Sequence, residues 1–299
     1  MSKITQALEK AARERLQREQ RQPTAVPATP VTVQLVSPVV SEIPLTGQIE
    51  VDPHIVCATD TKSPIAEQYR ILKTNLQSLR HRANFKTIVV TSAVHGEGKS
   101  VTSVNLALTL ARQEQLKVVL VDADMRRSSV HRWLGLPDHE RGLSTVLRDN
   151  GVLNGSLVRL QSPALTVLPG GPMPNHPAEL LESVSMRRLL DILRAQFDLI
   201  IIDSPPVLAV ADPSILAAQA DGVLLVVRAG RTQLRTVTEA KARLEQVKAM
   251  ILGCVLTQVS LYSPGYYRYY RAHYQEEKQE KREKAKAQHD AGQVPVAAH

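Results

Sequence analysis

The chain has 299 residues, of which 43% are hydrophobic and only 3% aromatic, and it carries a formal net charge of +8. That length suits one α/β domain of roughly 200 residues with less ordered ends, and its core must be aliphatic. The positive balance permits contact with anionic membrane or phosphate, but no groove-reading motif and no basic stretch interleaved with aromatics marks a nucleic-acid binder.

Cys57 and Cys254 are too few and too far apart for a metal or redox motif. No apolar run approaches the roughly 18 residues of a membrane span. The start, Met1-Ser2-Lys3-Ile4, has none of the apolar character of a signal peptide. The expected compartment is the cytoplasm.

The first predicted element is an N-terminal helix over 1–22. Residues 3–21 hold good helix formers without Gly or Pro, and Ile4, Leu8, Ala11, Ala12 and Leu16 form a thin apolar stripe. Six Lys/Arg stand against three Glu there; a docking helix and a solvated helix both fit. Residues 23–56 read as a proline-rich linker, with prolines at 23, 27, 30, 38, 44 and 53 removing amide donors and blocking helix.

A globular domain is predicted over 57–261. Apolar, β-branched runs fall at 87–91, 117–121, 165–168, 199–202, 223–227 and 251–259, with helical stretches at 100–113, 178–196 and 236–249. Continuous apolar strands alternating with helices predict a doubly wound α/β fold, a mainly parallel sheet with helices on both faces. Residues 262–299 form a tail, beginning Y-S-P-G-Y-Y-R-Y-Y-R-A-H-Y and continuing as a charged, disordered segment.

The first strand runs into Ala93-Val94-His95-Gly96-Glu97-Gly98-Lys99-Ser100, a Walker A loop. Gly96 and Gly98 let the backbone curl so that N–H groups point at phosphate oxygens. The following helix adds its positive end. Lys99 reaches the β/γ phosphates as a point charge, and the Ser100 hydroxyl ligates Mg²⁺. This is the P-loop type of the doubly wound fold, with ATP or GTP as its nucleotide.

Two carboxylate clusters also follow strands. Val118–Val121 leads into Asp122 and Asp124, which share one side of an extended backbone, and Leu199–Ile202 leads into Asp203-Ser204-Pro205-Pro206. Ligands of open parallel sheets sit beyond the carboxyl ends of strands. The three Asp therefore converge on the phosphates, where a divalent cation relieves their repulsion.

These motifs resemble the bacterial protein-tyrosine kinases, the P-loop family unrelated to eukaryotic kinases. The resemblance rests on V-V-L-V-D-A-D-M-R-R (118–127), D-L-I-I-I-D-S-P-P-V (198–207), S-P-I-A-E-Q-Y-R-I-L-K-T-N-L (63–76) and N-H-P-A-E-L-L (175–181), and runs from about residue 60 to residue 274. It implies that 57–261 is a kinase domain binding ATP and Mg²⁺ through Gly96, Glu97, Gly98, Lys99, Ser100, Val101, Arg228 and Gln258. Ser100, Asp122 and Asp203 would serve the metal, and Lys99, Asp122, Asp124 and Asp203 the chemistry. Glu67, Arg70 and Lys73 match the family's E-x-x-R-x-x-R subunit-contact motif, with Lys in place of its last Arg. Tyr262, Tyr266, Tyr267, Tyr269, Tyr270 and Tyr274 match its autophosphorylation cluster, offered to a neighbouring subunit in a ring. The family further implies a membrane polysaccharide co-polymerase as activator, recruitment to the inner face of the membrane, and a role in exopolysaccharide or capsule synthesis.

Two other readings compete. One is a partition- or division-type switch ATPase, which carries an extra lysine early in a K-G-G-x-G-K loop; Val94 stands there in this chain. The other is a non-catalytic ATP-binding assembly factor. The tyrosines favour the kinase: six of seven lie within thirteen residues, and only Tyr69 lies elsewhere. A phenol's pKa of about 10 puts the phenolate about 4 kcal/mol uphill at pH 7. A nearby carboxylate or the Mg²⁺ field must offset part of that cost, and Asp122 is the candidate base, with Asp124 in reach of the same role.

Overall fold

The computed structural model of the protein describes residues 40–43, 50–113, 116–138, 140–149, 153, 155–161 and 163–259. The expected N-terminal helix and the tyrosine cluster lie outside these residues. In chain order the elements are β1 (Val40–Ile43), α1 (Val56–Thr59), α2 (Pro64–Ala83), β2 (Thr87–Ser92), α3 (Lys99–Ala111), β3 (Val118–Asp122), α4 (Val130–Trp133) and α5 (Leu143–Arg148). They continue with β4 (Leu157–Leu160), β5 (Leu165–Leu168), α6 (Pro177–Glu182), α7 (Val184–Gln196), β6 (Leu199–Asp203), α8 (Asp212–Ala217), β7 (Gly222–Arg228), α9 (Leu234–Gln246) and β8 (Ile251–Thr257).

The strands form one sheet in the order β1-β4-β5-β3-β6-β2-β7-β8. Among the described residues every pairing is parallel except β4 with β5. β2, β3 and β6 are buried at every position, because successive side chains alternate between two covered faces. Val89, Val119, Val121, Ile200, Ile202 and Leu225 pack into one core with α5, α7 and α9. Ile88, Val90, Leu120, Ile201, Leu224 and Val226 pack into the other, under α2 and α3. The predicted doubly wound α/β fold is the fold observed.

Local chemistry sets the helix limits. Ser63 caps α2 by accepting from the Ala66 amide at 3.2 Å, Pro64 opens it, and Asn84 in the left-handed region closes it. Four features depart from the sequence expectation. The predicted helix over 178–196 is two helices. Ser183 turns extended (ψ 162°), and its hydroxyl accepts from the Met186 amide, restarting the helix as α7. β4 was not predicted: it is four residues long and alternates around an exposed Arg159. β1 lies inside the proline-rich segment 23–56 and pairs in parallel with β4, and Ile55 of the same segment is fully buried. The last predicted strand, 251–259, stops at Thr257 because Gln258 takes φ 53°.

Candidate active site

The site lies where β2, β3 and β6 end. β6 sits between β2 and β3, so Asp122 and Asp203 are cross-strand partners and Asp203 also pairs with Val90 of β2. The topology thus sets two carboxylates beside the loop that follows β2. In that loop Gly96 (φ 78°) and Gly98 (φ 90°) occupy left-handed backbone, which a side chain would strain.

Two braces hold the loop. The buried Glu97 carboxylate accepts from the Val94 amide at 3.0 Å and the Arg228 amide at 3.4 Å, and from the Thr232 hydroxyl. Thr257 donates its hydroxyl to the Glu97 carbonyl at 2.6 Å. The Glu97 side chain is therefore spent on the protein itself, and only its backbone is left for a ligand. Gly96, Arg228 and Arg231 line an open cavity of about 360 Å³ beside the loop. Val101 is half-buried on α3, and Gln258 is exposed, one residue beyond the Thr257 that touches Gly98.

Lys99 is the cation among the carboxylates. Its Nζ lies 2.9 Å from Asp124 Oδ2 and 3.1 Å from Ser100 Oγ. Burial pulls its pKa down, but the charges of Asp203, Asp124 and Asp122 outweigh burial and raise it. The expectation of three bare carboxylates sharing one field changes accordingly, since β3 ends at Asp122 and the chain turns there. Asp124 binds Lys99 and the Arg127 amide. Asp122 Oδ2 instead accepts from the Ser128 hydroxyl (2.8 Å) and the Ser129 and Val130 amides (2.9 and 3.0 Å), capping α4 from a distance. Asp122 Oδ1 accepts from the Asp124 amide at 3.2 Å.

Asp203 accepts from the Ser103 hydroxyl at 3.0 Å through Oδ1. Its Oδ2 is buried with no partner among the described residues. Burial raises its pKa, against the pull of Lys99. Burial and the charge of Asp203 push Asp122 up to about 7, against the three donors on its Oδ2.

This shift has a consequence for stability. A carboxyl raised from 3.8 to about 7 on folding stabilises the fold fully below about pH 4 and loses that contribution as pH rises to about 7. Asn cannot ionise, so the melting temperature of Asp122→Asn should gain on wild type between pH 4 and pH 7 and hold its lead above. A gap that does not change with pH would show that Asp122 is not a strained buried acid.

Sequence reasoning missed Ser103, Thr257 and Ser128. Ser103 was legible as the residue one helical turn beyond Ser100; Thr257 and Ser128 come from pairing and turn geometry that spacing does not carry. It also passed over Arg126, whose Nε and terminal nitrogen grip the fully buried Asp212 at 2.9 and 3.1 Å. Glu67, Arg70 and Lys73 lie on α2, apart from this constellation. Within one subunit Arg70 pairs with Glu67 and donates to the Thr61 carbonyl, and Lys73 is half-buried. Among the described residues no group of three or more His, Cys, Asp or Glu side chains is set to hold a metal alone, and no helix is long and apolar enough to cross a membrane.

Residues 85–252 match a family model described as an AAA domain. Over 216 residues the chain is 38% identical to the tyrosine-protein kinase YwqD of Bacillus subtilis, covering 72% of this chain and 90% of that protein. It is 35% identical over 232 residues to the putative tyrosine-protein kinase EpsB of Ralstonia solanacearum; the match takes in 77% of this chain but only 30% of that longer protein. Among solved structures, the kinase domain of the Escherichia coli tyrosine kinase ETK superposes with a TM-score of 0.65 at 30% identity, covering 76% of this chain and 94% of that domain.

Proposed function

The chain belongs to the bacterial protein-tyrosine kinase family, and from that membership we propose that it is an ATP- and Mg²⁺-dependent autokinase that phosphorylates the C-terminal tyrosines of neighbouring copies and so regulates exopolysaccharide or capsule synthesis. The observation that carries the proposal is the gathering of Lys99, Ser100, Asp122 and Asp203 at adjoining strand ends, with Asp203 Oδ2 buried and unpartnered beside them.

Each residue has a distinct part. The loop amides and Lys99 hold the phosphates, and nucleotide arrival draws Lys99 from Asp124. Ser100 Oγ and Asp203 are the hard oxygen donors that would hold a magnesium ion, and the ion would supply positive charge to neutralise the transferring phosphate. Asp122 is less suited to the metal, since both its oxygens already accept protein donors. Its Oδ1, with a single long hydrogen bond, takes the proton as the tyrosine oxygen bonds to the γ-phosphorus and the bond to the β–γ bridging oxygen breaks, releasing ADP. A pKa near 7 suits a general base at neutral pH.

The tail tyrosines reach the site in trans from neighbouring subunits, which Glu67, Arg70 and Lys73 help to hold in a ring. A membrane polysaccharide co-polymerase brings the kinase to the inner face of the membrane and activates it. The YwqD and EpsB similarities support the tyrosine-kinase chemistry; the tail's own sequence supports its being the substrate.

A mixing experiment tests the trans reaction. A full-length Lys99→Met chain should gain phosphotyrosine in residues 262–274 when incubated with Mg-ATP and a wild-type kinase shortened at residue 261. If the inactive chain stays unlabelled while intact wild type labels itself, the transfer is within one chain.

A further inference from the structure

A second cavity opens one side chain away from Asp122. It measures about 190 Å³ and is lined by Ser128, His131, Asp138, Pro169, Gly171 and Pro172. Ser128 belongs to both places: its hydroxyl donates to Asp122 Oδ2 at 2.8 Å, and the residue lines the cavity. Gly170, between the lining residues Pro169 and Gly171, packs as close: a Cβ there would lie 3.4 Å from the Asp122 carbonyl and 2.7 Å from Ser128 Oγ. Nothing in the phosphoryl transfer itself uses this cavity.

Its lining has the character of a cation site with apolar sides. Two prolines supply flat apolar surface. His131 Nε2 lies 3.0 Å from the Asp138 carboxylate, which is 98% exposed at the mouth. Burial holds the imidazole's pKa below its ordinary value, which disfavours a charged His131 beside the Asp138 carboxylate. Glu140 is exposed two residues farther on. Of the arginines nearby in sequence, Arg132 donates to the Ser128 carbonyl at 3.1 Å, Arg141 lies 3.4 Å from Asp149, and Arg127 is exposed.

The tail supplies a matching group. In Y-Y-R-Y-Y-R each arginine directly follows a tyrosine pair, giving Tyr267-Arg268 and Tyr270-Arg271. Adjacent Cα atoms are about 3.8 Å apart and both side chains are long, so a phenol oxygen at Asp122 leaves the next guanidinium in reach of a cavity one side chain away. We infer that the cavity walled by Ser128, His131, Pro169 and Pro172 and mouthed by Asp138 receives the arginine that follows an acceptor tyrosine, making Tyr-Arg the acceptor unit that this kinase selects. The guanidinium meets the Asp138 carboxylate as a planar fork while its stem lies along the prolines. This rests on the reading of Asp122 as the acceptor's base.

Peptides separate the two ideas. The full-length protein is given Mg-ATP and a peptide of residues 264–271, or the same peptide with Arg268→Gln and Arg271→Gln, or with both changed to Glu. Wild type should favour the arginine peptide over the glutamine peptide by about five-fold in kcat/KM, through KM, as one solvent-edge ion pair allows. Asp138→Asn should bring that ratio close to one, and Asp138→Lys should turn the preference toward the glutamate peptide. The protein's overall charge of +8 by itself favours the glutamate peptide, so an arginine preference cannot come from the general field. Equal use of the arginine and glutamine peptides by wild type, or an arginine preference that survives Asp138→Lys, overturns the inference and leaves the kinase reading standing. If no peptide is labelled while the chain's own tail is, the inference falls alone; if neither is labelled, both fall.

Discussion

Lys99→Met should reduce tyrosine labelling by at least about 10²-fold, the scale of losing one preorganised charge aimed at the transition state. Methionine keeps the length of the stem and removes the ammonium. The loss is twofold: nothing remains to draw charge from the transferring phosphate, and Asp124 and Asp203 lose the cation they face in the folded protein. Breaking a largely buried pair costs about 3–5 kcal/mol when the stranded carboxylate stays ionised. It costs less where a stranded carboxylate is protonated, so the melting temperature should fall less as the pH is lowered. Activity is compared at pH 7, where the Asp122 carboxyl, pushed up to about 7, is part ionised, with circular dichroism confirming that the mutant is folded. Wild-type labelling by the folded mutant would remove Lys99 from the chemistry.

Asp122→Asn should lower kcat by about 10²- to 10⁴-fold, the usual range for a general base, with little change in the KM for ATP. The amide oxygen still accepts from the α4 donors, so the loop through Ser128 to Val130 keeps its anchor while the proton acceptor is gone. Asp203→Asn acts differently. It weakens the oxygen set that Ser100 and Asp203 offer to magnesium, so its activity should recover in part as Mg²⁺ is raised, and that of Asp122→Asn should not. Rescue of both mutants by Mg²⁺ would make Asp122 a metal ligand; rescue of neither, with ATP binding intact, would remove Asp203 from the metal.

Much of this was legible in the residues, for identifiable reasons. The strands that end at the site are continuous aliphatic runs because both of their faces are buried, and a run such as L-I-I-I-D states its own limit by its first charge. The Walker A loop was legible because glycine takes the left-handed backbone at 96 and 98 without strain. Short, edge-lying pieces were not. β4 has four residues, and β1 is recruited from a proline-rich stretch by pairing with it, a long-range contact that no local pattern announces. The break at Ser183 was written in a capping serine inside a helical period, a signal outweighed by the run of helix formers around it.

The site divides the same way. Lys99, Asp122, Asp124 and Asp203 follow from motif chemistry, but the division of labour among them does not. Only the turn after β3 shows that Asp122 faces Ser128 while Asp124 faces Lys99. Glu97 lies within the Walker loop by sequence, and only the fold shows its carboxylate bracing that loop against β7.

The central claim, a tyrosine autokinase acting on its own tail, is tested most directly by intact-mass measurement of the full-length chain after incubation with Mg-ATP, followed by mapping of the modified residues. The account predicts successive phosphate-sized increments that map to tyrosines within 262–274 and vanish in Lys99→Met. ATP hydrolysed to ADP with the chain's mass unchanged would contradict it and point to a switch ATPase.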